Sequence, residues 1–253
     1  MIRVIKIGGR AQGDARLGPA IAGARGVDTP LCVVHGGGDE VTALQRALGQ
    51  EPRFVGGRRA TSAEELDTVR MVLSGTINKR LVGALAAAGA PAVGISGEDG
   101  ALLRCDVFGD GSLGAVGEPS EVNPDVVHAL LNAGFIPVIS PLGRFHDGSG
   151  CNVNGDDAAA ALAAALGAGE LLLVADVSGV LDAQGERIAH LDRSDVESMI
   201  AAGVATGGMV AKLEAAMRAL SRGVQRVRIG NLDAILDVHV GTAITIGTPA
   251  TVR

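Results

Sequence analysis

The 253-residue chain has no tryptophan, no tyrosine and only four phenylalanines. Platforms for stacking nucleobases are therefore scarce, and no run of Lys or Arg supplies a nucleic-acid-binding stripe. A formal net charge of -6 excludes the same class of partner. Cysteine is rare too. Cys32, Cys105 and Cys151 are far apart, odd in number and form no C-x-x-C pair, so neither a disulfide framework nor a zinc site is suggested. No H-E-x-x-H pair occurs among the five histidines. The most apolar stretch, residues 158–169, is about 12 residues long, too short to span a bilayer. The amino terminus lacks the long apolar segment of a signal peptide. What remains is 47% apolar and 20% charged, a globular balance, and points to a cytoplasmic protein that handles small molecules.

Short β-branched runs alternate with Ala- and Leu-rich stretches. The pattern predicts strands over residues 2–7, 31–34, 92–95, 136–139, 171–174 and 225–229. It predicts helices over 41–48, 62–88, 125–133, 156–166, 193–202 and 209–222. Near-continuous apolar strands separated by helices indicate an α/β fold with a parallel sheet covered on both faces. Ligands in such sheets sit beyond the carboxyl ends of the strands. The stretch 104–121 reads as a hairpin outside the main sheet, and a soft lobe boundary falls near 167–170, where a fresh β-α series begins.

Several candidate sites follow strands directly. The first strand ends in IKIGG, where Lys6 either meets an anion beside Gly8 and Gly9 or snorkels from an ordinary turn. The second ends in HGGGD. A dinucleotide fingerprint fails there because Val41 occupies the third glycine position, and the absence of any Gly-Lys pair excludes a P-loop. Gly36, Gly37 and Gly38 are left as a nest of amides opening a helix, a generic anion holder, or as a tight turn. In NVNGDD, one of Asp156 and Asp157 is expected to cap the following helix. Asn152, Asn154 and the other acid exceed what capping needs and suit a substrate or a lysine. Asp176 and Ser178 in ADVSGVL suit a ribose or phosphate contact, or an Asx/ST turn. Thr206, Gly207 and Gly208 precede a helix that carries Lys212, near an amide-rich end or on an ordinary amphipathic surface. Arg58 and Arg59 precede a helix capped by Thr61 or Ser62 with Glu64 or Glu65 behind it, and either arginine could clasp a carboxylate.

Taken in order, IKIGG, VVHGGG, GGRRAT, SGTINKRLV, VGISGEDG, VNP, FIPVISPLG, NVNGDDAA, ADVSGVL and GGMVAK resemble the amino acid kinase family over essentially the whole chain. The resemblance is to its members that use ATP to phosphorylate the side-chain carboxylate of N-acetyl-L-glutamate in arginine biosynthesis. It implies an open three-layer α/β/α sandwich with a mainly parallel sheet. Residues 1–169 would form the acyl-amino-acid-binding and dimerisation lobe, and residues 170–253 the ATP-binding lobe. By the same resemblance, Lys6 and Lys212 neutralise the phosphoryl group in flight, and Asp156 holds both lysines. Gly8, Gly9, Gly37 and Gly38 supply amides; Arg59, Asn152 and Asn154 bind the acceptor. Asp176, Val177, Ser178, Gly179, Val180 and Leu181, with Val204, Ala205 and Thr206, line the ATP site. Mg²⁺ arrives with ATP and needs no all-protein cage.

A carboxylate acceptor is already ionised near neutral pH, so such an enzyme needs cations and positioning more than a base. That suits a chain with lysine-plus-glycine loops and no evident catalytic triad. Ala175 and Gly155 depart from the family's commoner Ser or Thr and Ala. The chain begins almost at its first strand, whereas arginine-inhibited relatives resemble one another in an added amino-terminal helix. The expectation is a feedback-insensitive homodimer. A kinase acting on a carrier-linked aminoadipate or glutamate and a non-catalytic amino-acid sensor are the competing readings.

Overall fold

The computed structural model describes residues 1–25 and 29–247. Strands β1 (Arg3–Ile7) and β2 (Leu31–His35) come first, followed by a short hairpin of β3 (Phe54–Val55) and β4 (Arg58–Arg59), then β5 (Ala92–Ser96). Next are β6 (Leu103–Val107), β7 (Val116–Val122), β8 (Ile136–Ser140), β9 (Leu142–Phe145) and β10 (Gly150–Val153). The last third holds β11 (Glu170–Val174), β12 (His190–Leu191), β13 (Arg226–Gly230) and β14 (Thr242–Ile244).

Eight strands form the main sheet in the order β12-β14-β13-β11-β1-β2-β8-β5. The pairings from β13 to β5 are all parallel, and β14 lies antiparallel to β13. All six strands expected from the sequence belong to this sheet, with ends shifted by a residue or two. From β1 the chain steps outward through β2 on one side, and from β11 it steps outward through β13 on the other. The divergence of the two halves creates a switch-point crevice at the carboxyl ends of β1 and β11.

Helices cover both faces. They are α1 (Leu17–Ala24), α2 (Gly38–Ala47), α3 (Ala63–Arg70), α4 (Asn78–Ala87), α5 (Asp125–Asn132), α6 (Gly155–Ala165), α7 (Arg193–Ala201) and α8 (Gly208–Ser221). Strand alternation sorts the core into two. Ile5, Ile7, Leu31 and Val33 pack with Leu17, Leu81 and Leu85 of α1 and α4. Val4, Cys32, Val34, Leu171 and Leu173 pack with α6 and α8, whose inner faces are Ala158, Ala159, Ala163, Ala215 and Ala219. Alanine on both helices permits the close contact between α6 and α8.

Two features differ from the sequence expectation, and a third extends it. Helix α1, LGPAIAGA, escapes notice because Gly and Pro lower its propensity, although Pro19 lies in the first turn, where it costs little. The helix expected over 62–88 starts with a Ser62–Glu65 capping box, but α3 and α4 are joined by a π-helical segment, Met71–Ile77. A 3.6-residue pattern does not report that wider turn. The hairpin read over 104–121 is β6 and β7, paired antiparallel. With β9 and β10 they close into a small barrel that delivers the chain from β10 directly into α6. No helix among the described residues is long and apolar enough to cross a membrane.

A buried carboxylate ties the sheet together at the opposite end from the crevice. Glu170 opens β11 and pairs in register with Arg3 of β1 and Arg226 of β13. Its oxygens lie 2.5 Å from Arg3 Nε, 2.9 Å from Arg226 Nη2 and 2.7 Å from Arg228 Nε. Burial alone would raise its pKa. The hydrogen bond from Arg228 and the fields of Arg3, Arg228 and Arg226 outweigh that and hold it below its ordinary value. Glu170→Gln should cost about 3–5 kcal/mol in urea unfolding, because it strands buried arginines. Since the folded pKa is depressed, the contribution is present above the ordinary glutamate range and is lost as pH falls. A denaturation midpoint unchanged by the substitution would refute this role.

Candidate active site

Lys6 lies on the same face of β1 as Val4, toward α6, because Ile5 and Ile7 take the other face. It is 7% exposed, too buried for a snorkelling surface lysine. Its Nζ lies 2.8 Å from Asp156 Oδ1, and Lys212 Nζ reaches Asp156 Oδ2 at 3.0 Å. Asp156 stands in the first turn of α6 and Lys212 in the second turn of α8, so the alanine-lined contact between the two helices sets this bridge. Two ammonium groups share one carboxylate, leaving a buried surplus of one positive charge.

The electrostatics follow from that surplus. Burial lowers the Lys6 pKa, and the neighbouring charge of Lys212 adds to the effect, while Asp156 opposes both. Burial would raise the Asp156 carboxyl, but the two lysines hold it down at about 2. Asp156 is therefore ionised throughout the physiological range.

Neither aspartate caps α6. Asn154 does: its Oδ1 accepts the N–H groups of Asp156 at 2.8 Å and Asp157 at 3.2 Å. The expectation of an aspartate cap fails because the helix begins at Gly155, one residue earlier than the apolar pattern indicates. Asp157 instead joins Arg58 of β4 at 2.5 Å to Arg218 of α8. Adjacent aspartates thus clamp two cations each, lysines at the crevice and arginines alongside. Sequence reasoning missed the Arg58–Asp157–Arg218 clamp. The second acid of NGDD was its only signal, and partners 99 and 61 residues away leave no local trace.

Two cavities meet here. The first, of about 670 Å³, is lined by Gly36, Gly37 and Gly38, by Val41, Phe54, Val69 and Leu73, and by Arg58, Arg59, Asn152, Asn154 and Gly155. The second, of about 690 Å³, is lined by Lys6, Lys212, Gly8, Gly9, Gly38, Asp39 and Asp176. Gly38 belongs to both linings. Arg59 donates to Gly38 O and Thr42 Oγ1, both at 2.7 Å, and to Gln45 Oε1, so it is braced against the first turns of α2. Arg58 and Arg59 lie over the rings of Phe108 and Phe54, at 4.1 and 4.6 Å from the centroids. Asn152 Nδ2 donates to Thr61 Oγ1 at 3.1 Å.

The other residues singled out in the sequence are not gathered here. Val177, Ser178, Gly179, Val180 and Leu181, like Val204, Ala205 and Thr206, are in neither lining. The side chains of Val180 and Ala205 are buried in the core beneath α6 and α8. The Val180 N–H donates to Thr242 Oγ1 at 2.8 Å. Ser178 and Thr206 are exposed. Gly8 differs from its expected role as well. Its N–H donates to Val174 O at 3.1 Å, extending the β1–β11 ladder, so it offers the cavity a bare Cα rather than an amide.

The glycines separate by steric test. Gly37 has φ 152°, and a Cβ there would lie 2.1 Å from Ile77 Cδ1 and 2.8 Å from Leu73 Cδ2, both in the π segment. The fold itself demands glycine at that position. A Cβ at Gly9 would meet nothing within 4 Å, and one at Gly38 only Arg59 Nη2 at 3.8 Å. The protein has room for side chains at both positions, so its own packing does not demand glycine there. Gly155 is tighter: a Cβ would sit 3.2 Å from Lys6 Cε. The buried amide of Gln12 lies near Gly36 and Gly9, and neither of its polar atoms has a hydrogen-bond partner among the described residues. Bare glycines and the ammonium groups of Lys6 and Lys212 form a cradle suited to a phosphate. Gly37→Ala should therefore lower the melting temperature by several degrees. Gly38→Ala should leave it unchanged while lowering kcat/KM at least tenfold, read by calorimetry and steady-state kinetics on the same samples. Equal thermal effects would show the sorting to be wrong.

The chain matches the model of the amino acid kinase family over residues 1–231. It is 46% identical over 240 residues to a protein from Roseiflexus castenholzii named acetylglutamate kinase, covering 92% of this chain and 91% of that one. An acetylglutamate kinase from Methanoculleus marisnigri is 42% identical over 267 residues, covering 96% and 92%. Among solved structures, smu.665 from Streptococcus mutans superposes with a TM-score of 0.86 at 29% identity, covering 97% and 99%. Sequence and fold agree, and the chain belongs to the amino acid kinase family.

Proposed function

We propose that the protein transfers the γ-phosphoryl group of ATP to the side-chain carboxylate of N-acetyl-L-glutamate, giving N-acetylglutamyl 5-phosphate and ADP. The observation that carries this reading is the buried Lys6–Asp156–Lys212 cluster beside Gly38, where the two cavities meet. The names of the relatives supply the acceptor. In this reading the lobe of residues 1–169 holds the acceptor in the first cavity. Its apolar wall of Val41, Phe54, Val69 and Leu73 suits an acyl chain, and Arg58, Arg59 and Asn152 suit carboxylates. The lobe from residue 170 onward holds ATP beyond β11 and β13, with its phosphates over Gly9, Asp176 and Lys212.

The chemistry asks little of acid–base groups. A carboxylate oxygen attacks the γ-phosphorus, a new O–P bond forms, and the bond from phosphorus to the β-bridging oxygen breaks as ADP leaves. Both reactants are anionic, so the barrier is lowered by neutralising charge and holding the two in line. Lys6 and Lys212 supply that charge, and Asp156 keeps the ammoniums apart and aimed. The amides of Gly9, Gly37 and Gly38 follow the last ladder bonds of β1 and β2 and add oriented donors. Asp39 and Asp176 line the second cavity as hard oxygen donors of the kind Mg²⁺ accepts, and Mg²⁺ bound to ATP would neutralise the phosphate oxygens.

Two measurements test the reading. Offered MgATP with N-acetylglutamate, glutamate, aspartate or aminoadipate, the protein should form an acyl phosphate, trapped as a hydroxamate, from N-acetylglutamate above the others. Turnover of a different acid alone would displace the substrate assignment. The second test uses pH. Burial lowers the Lys6 pKa, so its charge is present at low pH and lost as pH rises through the folded value. The alkaline limb of kcat/KM, which reports the free enzyme, should therefore have its midpoint below the ordinary lysine value of 10.5. Activity that persisted unchanged beyond that pH would contradict the assignment of Lys6.

A further inference from the structure

His35 ends β2 on the face opposite Lys6, against α4, and is fully buried. It lines neither cavity. Its Nδ1 lies 2.9 Å from Gly36 O and its Nε2 lies 3.2 Å from Asn78 Nδ2. A carbonyl oxygen can only accept, so Nδ1 carries the ring hydrogen and Nε2 accepts from Asn78. Asn78 is itself fully buried. Its Nδ2 also faces Val138 O at 2.9 Å and Ile95 O at 3.2 Å, and its Oδ1 accepts from Lys79 Nζ at 3.0 Å. The two hydrogens of this amide are shared among the two carbonyls and the imidazole, with Val138 O the nearest of the three acceptors. Burial, aided by Lys6 and Arg80, pushes the His35 pKa down to about 4, so the ring remains neutral and able to accept.

The consequence runs through one peptide plane. Gly36 O and the N–H of Gly37 belong to the same trans peptide and point in opposite directions. Holding the carbonyl against His35 turns the Gly37 N–H away from the ring. Gly37 can carry the resulting φ of 152° only because it is glycine. We propose that His35, kept in its Nδ1–H tautomer by Asn78, is a positioning residue that aims the Gly37 amide at the phosphoryl group in transfer. The proposal rests on the phosphoryl-transfer reading above. It gives the buried His–Asn pair a task in the reaction, although neither residue reaches the reactants.

The test begins with the unaltered protein. Nitrogen-15 shifts of the His35 imidazole should report the Nδ1–H tautomer, the minor form of free histidine. The Nε2–H form would overturn the proposal without any substitution. Kinetics then compare His35→Leu with His35→Asn, whose amide nitrogen can replace the Nδ1–H donor. His35→Leu should lower kcat roughly a hundredfold, the usual effect of losing one oriented donor. KM for ATP and for the acceptor should stay within about twofold. His35→Asn should recover kcat to within about tenfold of the parent. A loss of melting temperature with kcat intact, or no recovery in His35→Asn, would overturn the proposal. The parent rate with N-acetylglutamate is the internal control. If the parent forms no acyl phosphate from that acceptor, the function reading fails, and the tautomer measurement still judges the positioning pair.

Discussion

Everything around the crevice depends on burying two ammonium groups with a single carboxylate. Water would solvate each charge better than the interior does, so the arrangement persists only where the partner is held by rigid elements. Lys6 comes from the central strand of the sheet, Asp156 from the first turn of α6, and Lys212 from α8. The alanine-lined contact between α6 and α8 keeps those elements at a fixed separation. An incoming phosphate group meets a lysine–aspartate–lysine cluster whose own charge is plus one. The cost of that imbalance in the resting protein becomes attraction for the reacting anion.

The same economy of local sequence appears in NGDD. Four consecutive residues perform four tasks. Asn154 caps the helix, Gly155 lets Lys6 pass overhead, Asp156 holds the lysines, and Asp157 links β4 to α8 through arginines. The small barrel of β6, β7, β9 and β10 is the structural reason this turn arrives where it does, since β10 runs directly into it. The π segment plays a matching part on the other face. Its wider turn brings Leu73 and Ile77 against Gly37, and Asn78, the next residue, reaches the imidazole of His35. Both edges of the glycine loop are thereby fixed by neighbouring elements rather than by the loop itself.

Glycine illustrates how far a residue type can be read. Three in a row after β2 signal a close backbone approach, but they do not have one cause. Gly37 is required by the protein's own packing, whereas Gly38 has space for a side chain and is bare toward the shared edge of both cavities. Gly8 and Gly9 both line the second cavity, but the N–H of Gly8 is spent on continuing the sheet.

The sequence by itself determined the α/β class, the six central strands, the family and the short set of charged and glycine residues that surround the crevice. These are legible because apolar periodicity and residue chemistry are local properties. Only the tertiary structure decided which residue caps α6, what the second aspartate clamps, and that Arg58 and Arg59 take separate partners. It alone placed Val180 and Ala205 in the core and closed the barrel. Each of those outcomes joins residues tens of positions apart, or turns on a few degrees of backbone at one glycine. Hydrogen-bond partners and steric clearances belong to the packed chain, and no spacing along the sequence encodes them.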